Sequence, residues 1–357
     1  MISISLCMIV KNEEKVLARC LESVVGVVDE IIIVDTGSTD GTKEIARKFT
    51  DLVYEFEWVD DFSAARNFSF SKARKDYQMW LDADDILTEE DREKLIMLKS
   101  QLDNHVDIVT MKYNTHFDED NNPILTFARE RLFKRSKGYK WNDPIHEYIE
   151  MNGVVYHAKN IFVTHLKEAE YSDRNLKIYE KQVEAGKELS PRSIYYFARE
   201  LRDHGRNAEA AKYFNIFLDQ GLGWVEDNIS ACFSLIQCYK VSGEHEKIWE
   251  SAIRTFKYGP PRAEICCELG YYFKRIRNFN NASFWFSLAA SLEQPQTDGF
   301  VLNDYWNYIP LIELAVCHYE LNDLEKAEIY NEQAKQFKPN SKSVKSNEEF
   351  FKKIRSK

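Results

Sequence analysis

The chain has no long apolar run, no excess of basic charge, no zinc-like CxxC pair and no Gly/Ser-rich stretch between its halves. Each absence removes a class of protein. The first apolar segment, Ile2 to Val10, is too short for a membrane span, and no positively charged leader precedes it. A cytoplasmic protein without a membrane span is therefore expected. A formal net charge of −10 argues against a nucleic-acid surface, although nucleotide phosphates can still be held through a metal. The cysteines at 7, 20, 232, 238, 266, 267 and 317 form no even framework and read as buried thiols of a reducing compartment. What is present is core material: 357 residues, 44% hydrophobic and 13% aromatic, are enough for two domains.

The N-terminal half alternates between short apolar runs and helical stretches. Strands are expected at Ile2 to Val10, Glu30 to Asp35, Leu52 to Glu57 and Tyr77 to Leu81, with helices after Glu14, from Thr42 to Phe49 and from Phe62 to Lys72. Ser38, Thr39 and Asp40 are suited to cap the second of these helices. The βαβαβαβ order implies a parallel, right-handed, doubly wound half-sheet, and such sheets bind ligands beyond the carboxyl ends of their strands. Asn12, Asp35 and Asp82 all follow strand ends, so one crevice can collect them. Extended segments at Asp107 to Asn114 and Leu125 to Lys134, and a further pair at Gly153 to His157 and Ile161 to His165, would complete a mixed sheet.

The densest chemistry lies at Leu81-Asp-Ala-Asp-Asp85. A strand that leaves the core and ends in Asp-x-Asp sets hard oxygen ligands at a sheet rim, where a divalent cation can bridge them to a phosphate. In isolation the same residues also suit a solvated turn or a cap, and Thr88 with Asp91 reads as a capping box opening the next helix.

Together, IVKNEE (9–14), VDTGSTDGT (34–42), Ala65-Arg66-Asn67 and LDADD (81–85) resemble the family 2 glycosyltransferases of the GT-A fold in order and spacing. The resemblance covers roughly residues 1–170. A closer resemblance, through DDFSAARN (60–67), WNDPIHE (141–147) and VTHLK (163–167), is to the branch with a C-terminal tetratricopeptide-like domain, which includes S-glycosyltransferases of glycosylated bacteriocins. The resemblance implies that Val10, Asn12, Glu13, Asp35 and Arg66 bind the nucleotide and that Asp84 ligates Mn2+ or Mg2+ directly. Asp82 would meet the sugar, the ribose or the metal, and His165 would complete the metal site, with His146 as its competitor. Thr36 stands where the family often has a second Asp, which loosens the expectation for the base. Arg129 and Arg131 share one strand face and would reach the diphosphate, Arg131 being the candidate for the nucleotide sugar, or else form a solvated basic strand. Inverting transfer needs a base beside the acceptor; Glu147 is the first candidate and Asp143 the second. Trp141 is the candidate platform for a sugar face, and His146 also lies on the acceptor side.

From about Tyr171 the pattern turns helical and repetitive. Ala198, Gly270 and Ala315 are each followed twelve positions later by Ala210, Ala282 and Ala327, and three further on by Tyr213, Trp285 and Tyr330. A degenerate copy, Leu235 to Trp249 with a turn at Gly243, falls between the first and second. Starts spaced by about 38, 34 and 45 residues approach the ~34 of tetratricopeptide repeats. The expected organisation is an α/β GT-A domain over 1–170 and an all-α repeat domain over 171–357. The expected function is transfer of a sugar from a nucleoside diphosphate, with UDP as the carrier, to a peptide or protein acceptor. A growing glycan is the alternative acceptor, and a non-catalytic repeat scaffold the alternative of another class. The repeats would shape the acceptor entrance or a homodimer contact.

Overall fold

The computed structural model describes residues 1–119, 121–166, 173–295, 297, 299 and 301–356. The chain divides into two compact units, Met1–His116 with Thr126–Glu184, and Phe117–Leu125 with Ala185–Lys357. The boundary expected between 170 and 171 falls within residues 167–172, outside the described residues, as does Lys167 of the VTHLK segment.

In the first unit, β1 (Ile4–Val10) is buried along almost its whole length, as a strand covered on both faces must be. It pairs in parallel with β2 (Glu30–Asp35) on one side and β4 (Tyr77–Met79) on the other, and β3 (Val53–Glu55) extends the parallel set beyond β2. Between them run α1 (Leu17–Val24), α2 (Thr42–Ala46) and α3 (Phe62–Ser71). Leu17, Cys20, Leu21 and Val24 give α1 one buried face. The expected half-sheet is therefore present, although α2 and β3 are shorter than their apolar patterns suggested. After β5 (Asp85–Ile86) comes α4 (Glu89–Gln101), whose N-cap Thr88 accepts from the Asp91 N–H, as the capping-box reading required.

The remaining strands make the sheet mixed. β6 (Ile108–Phe117), β7 (Pro123–Lys134) and β10 (Val155–His165) follow in the order β3-β2-β1-β4-β7-β6-β10-β5, with β7 antiparallel to β4. The short pair β8 (Trp141–Asn142) and β9 (Tyr148–Ile149) brackets the loop 143–147. The two strands expected within 153–165 are one strand, β10, with a register shift between Ala158 and Phe162. Lys159 and Asn160 are both exposed, and this break in alternation resembles a turn in sequence; a bulge absorbs it without ending the strand. The helix α5 (Arg174–Glu184) also belongs to this unit.

The second unit is built from antiparallel helix pairs: α6 (Pro191–Asp203) with α7 (Asn207–Gln220), α8 (Val225–Ser242) with α9 (His245–Arg254), and α10 (Ala263–Arg275) with α11 (Phe279–Ser291). The short β11 (Val301–Leu302) precedes α12 (Tyr308–Glu320), which pairs with α13 (Leu324–Phe337), and α14 (Lys342–Arg355) follows. The small residues that set the repeat are closure points between helices: Ala198, Ala210, Ala282, Ala315 and Ala327 are fully buried. A Cβ added at Gly270 would lie 2.7–2.9 Å from the Phe286 ring, so that crossing needs glycine. Tyr213 packs edge-on against Phe197 and Tyr330 stacks on His318, the helix-to-helix role expected of the aromatic stripes. All seven cysteines are buried and unbridged, which matches their expected role as core thiols.

Candidate active site

Parallel register brings the expected strand ends together. Val10 lies beside Asp35, and the Val10 carbonyl accepts from the Thr36 N–H at 2.9 Å. Asn12, in a left-handed conformation (φ 57°), receives the Thr39 N–H on its Oδ1 at 2.8 Å and donates its own N–H to Ser38 Oγ at 2.9 Å. The Glu13 N–H bonds Thr42 Oγ1 at 2.7 Å. These bonds tie the two motif loops into one rim. Asp35 is 2% exposed; its Oδ1 takes the N–H groups of Gly37 and Ser38, while its buried Oδ2 has no hydrogen-bond partner among the described residues. A buried carboxylate oxygen left open is costly unless a ligand donor fills it, and a nucleobase imide or ribose hydroxyl is such a donor.

At the end of β4 the carboxylates separate by role. Asp82 Oδ1 pairs with Arg66 Nη2 at 2.8 Å, and Arg66 Nε pairs with Glu147 Oε1 at 2.5 Å. Burial opposes ionisation of Asp82, but Arg66 outweighs it, with Arg131 and His165 adding to the pull, and its carboxyl falls to about 2. The Arg66 guanidinium lies 4.6 Å from the Trp80 ring centre and 5.0 Å from that of Trp141. Asn67, next along α3, accepts the Trp141 N–H and donates to its carbonyl, both at 2.9 Å, and so docks the loop that carries Glu147. This docking role for Asn67 had no readable signal beyond its place in the motif.

Asp84 and Asp85 turn the other way, toward His165. Their carboxylate oxygens lie 3.2 and 3.1 Å from His165 Nδ1, and the three side chains form a group whose ligand atoms lie within 4.8 Å of one another. Asp85 is fully buried and also accepts from the Tyr113 hydroxyl at 2.7 Å, the Asp82 N–H at 3.0 Å and Arg131 Nη1 at 3.2 Å. Its lone pairs are largely taken, so Asp85 anchors the turn and holds the imidazole, while Asp84 and His165 keep about a fifth of their side chains exposed. Tyr113 carries no sequence signal for this role, whereas Asp85 is one of the three candidate carboxylates and a candidate turn cap. The side chain missing from the expected ligand set is Asp82, which Arg66 holds instead.

The donor set fits a divalent cation. Burial works against a charged His165, yet the two carboxylates raise it to about 10, so a proton sits where positive charge is favoured and a metal would compete with it. Burial, with Asp84, Asp82 and Asp40, also raises Glu13 to about 7 against the opposing effect of Arg174. A cation among these carboxylates would relieve that repulsion.

Three further sequence expectations change. Arg131 is fully buried, bound to Asp85 and the Trp80 carbonyl and lying 4.0 Å from the Trp80 ring centre, so it supports the carboxylates from beneath and does not face a diphosphate. Arg129, over the same ring at 5.2 Å, does share its face. Trp141 is 4% exposed, packed against Phe70, Trp80 and Phe133, and offers no open platform for a sugar. His146 stacks on Tyr179 of α5, outside the Asp84–Asp85–His165 group. Asp143 and His146 both adopt positive φ (65° and 51°), which shapes the loop around Glu147.

The mixed α/β sheet with its strand-end site is a GT-A-like domain, and tetratricopeptide-like helix pairs follow it. Residues 5–158 match the family described as glycosyl transferase family 2. Among curated proteins, a TPR repeat-containing protein of Synechococcus elongatus is 37% identical over 151 residues, 42% of this chain and 36% of that protein. The prophage-derived glycosyltransferase SunS of Bacillus subtilis is 29% identical over 220 residues, 57% of this chain and 50% of SunS. The lipopolysaccharide core biosynthesis glycosyltransferase LpsC of Rhizobium meliloti is 29% identical over 193 residues, 49% of this chain and 70% of LpsC. The chain thus spans between about a third and a half of the length of the first two relatives. Among the described residues no helix is long and apolar enough to cross a membrane.

Proposed function

We propose that the protein is an inverting glycosyltransferase that moves a sugar from a nucleoside diphosphate, with UDP as the carrier, to a side chain of a peptide or protein. The observation that carries this reading is the group of Asp84, Asp85 and His165 at the strand-end rim shared with Asp35, whose second oxygen is open. Asp84 and His165, backed by Asp85, would hold Mn2+ or Mg2+, which when bound offsets the negative charge that develops on the departing diphosphate. Asp35, with the 36–42 loop, orients the nucleoside. Asp82, kept ionised by Arg66, accepts from sugar or ribose hydroxyls. Glu147 is the base: Arg66 holds Oε1, while Oε2 has no hydrogen-bond partner among the described residues and can take the acceptor's proton. Asp143 in the same loop is the second candidate. The repeats favour a polypeptide acceptor, because solenoids offer extended surfaces for extended chains. The likeness to LpsC, which covers most of that protein, favours a glycan as the second reading.

The test is a panel of nucleotide sugars with Mn2+ or Mg2+, scored for hydrolysis without acceptor. One donor should be turned over, and turnover should vanish in excess chelator and in Asp84→Ala while the melting temperature holds, since Asp84 is outside the core. Full activity in chelator would remove the metal from the mechanism. No turnover of any donor would remove the donor chemistry.

A further inference from the structure

The burial of Arg131 against Asp85 leaves the donor's phosphates without the cation expected for them. Arg66, the other buried guanidinium of the site, is engaged by Asp82 and Glu147. Glu13 follows β1, whose last residue Val10 lies beside Asp35, and stands within electrostatic range of Asp84, Asp82 and Asp40. A diphosphate joining a nucleoside at Asp35 to a cation at Asp84 would pass Glu13 and add its own negative charge there. The positive group set against Glu13 is Arg174.

Arg174 opens α5 and is exposed, and its guanidinium lies 4.6 Å from the Phe62 ring centre. The Phe62 N–H donates to the Pro144 carbonyl at 2.9 Å, Tyr179 of α5 stacks on His146, and Lys181 pairs with Asp60 at 2.8 Å. These contacts fix α5 against the start of α3 and the loop that carries Glu147. Leu166, next after His165, donates its N–H to the Asp84 carbonyl at 2.9 Å. The chain is thus tied to Asp84 at one point and, eight residues later, to Phe62 at another, with Glu13 in range of both Asp84 and Arg174. An aromatic ring orients a guanidinium through its face, while the N–H fork in the guanidinium plane is what matches pairs of phosphate oxygens.

We infer that Arg174 is the side chain that holds the donor's diphosphate, with its N–H fork on the phosphate oxygens beside Glu13. The bond from the anomeric carbon to the β-phosphate oxygen breaks with its electron pair passing to that oxygen, and Arg174 offsets the charge that results. The acceptor forms the new bond to the anomeric carbon, and its proton goes to Glu147. This inference rests on the transferase reading above and adds to it the residue that meets the leaving group.

The probes are UDP, titrated by calorimetry onto the full-length chain in saturating Mg2+, and uridine, measured by its competition with UDP. The wild type should bind UDP more tightly than uridine. Arg174→Gln should lower UDP affinity by about ten- to a hundredfold, the usual worth of a charge-assisted contact, and leave uridine affinity and the thermal melt unchanged. Arg174→Lys, which keeps the charge without the fork, should lose less, and Arg129→Gln should lose nothing. A preference for UDP in Arg174→Gln equal to that of the wild type would overturn the inference and leave the transferase reading standing, as would a loss confined to Arg129→Gln. Equal weakening of UDP and uridine in Arg174→Gln would also overturn it, since a merely structural part of the rim would act on both. A wild type that binds UDP no more tightly than uridine would overturn the diphosphate carrier itself, and this inference with it.

Discussion

The two units use buried polar groups in opposite ways. In the sheet unit they converge: Arg66, Asp85, Arg131 and Glu147 are all buried, and with Asp82, Asp84 and His165 they form one connected network at the strand ends. In the helical unit they are spread out, each joining one helix to another, as Tyr195 joins Ser230, Gln237 joins Glu268 and Asn331 joins the Val344 carbonyl. Dispersed polar contacts satisfy the buried donors and acceptors between stacked helices. Converged ones keep charge ionised in a confined place, which costs desolvation and is retained where chemistry needs it.

The contrast is sharpest for activity. Glu147→Gln should leave donor binding nearly unchanged and lower transfer to the acceptor by about two to four orders of magnitude, the usual contribution of a general base. Single-turnover transfer assays beside donor titrations would separate the two. Wild-type transfer in Glu147→Gln with loss in Asp143→Asn would move the base, and loss in neither would take catalysis away from this loop.

The next effect is on stability. Arg131→Met removes one partner of a fully buried ion pair and leaves Asp85 charged without its counter-ion, so unfolding by denaturant should show a loss of about 3–5 kcal/mol. A near-neutral result would mean that Tyr113, His165 and the Asp82 N–H suffice for Asp85, and that convergence in this unit is not costly.

The smallest effect should come from packing in the repeats. Gly270→Ala crowds the Phe286 ring and should destabilise by about 1–3 kcal/mol, the usual range for overpacking, with donor hydrolysis unchanged below the melting temperature. If it instead altered donor turnover, the separation between a chemical unit and a packing unit would fail.

Much of this was legible in one dimension. Apolar runs bounded by helical stretches encode the parallel half-sheet, because strand burial and helix amphipathicity are local patterns, and the twelve-residue spacing of small residues encodes the helix pairs because a close crossing recurs at each turn of the solenoid. The strand-end motifs likewise set Asn12, Asp35 and Asp82 after strands that the parallel register aligns at their carboxyl ends.

Distant register decided the rest. Asp82, Asp84 and Asp85 are neighbours that sequence spacing cannot rank; Asp85 is the anchor because β10 runs antiparallel to β5 and sets His165 opposite it, 80 residues away. Arg131 lies beneath the site and Trp141 is sealed in the core because β7 packs beside β4 and the 141–147 loop docks on Asn67. The sequence by itself therefore determined the parallel half-sheet, the helix pairs and the strand ends after which Asn12, Asp35 and Asp82 lie. Only the tertiary structure decided which carboxylate faces the imidazole, which is held by Arg66 and which is buried, because those choices depend on pairings between segments that no local pattern encodes.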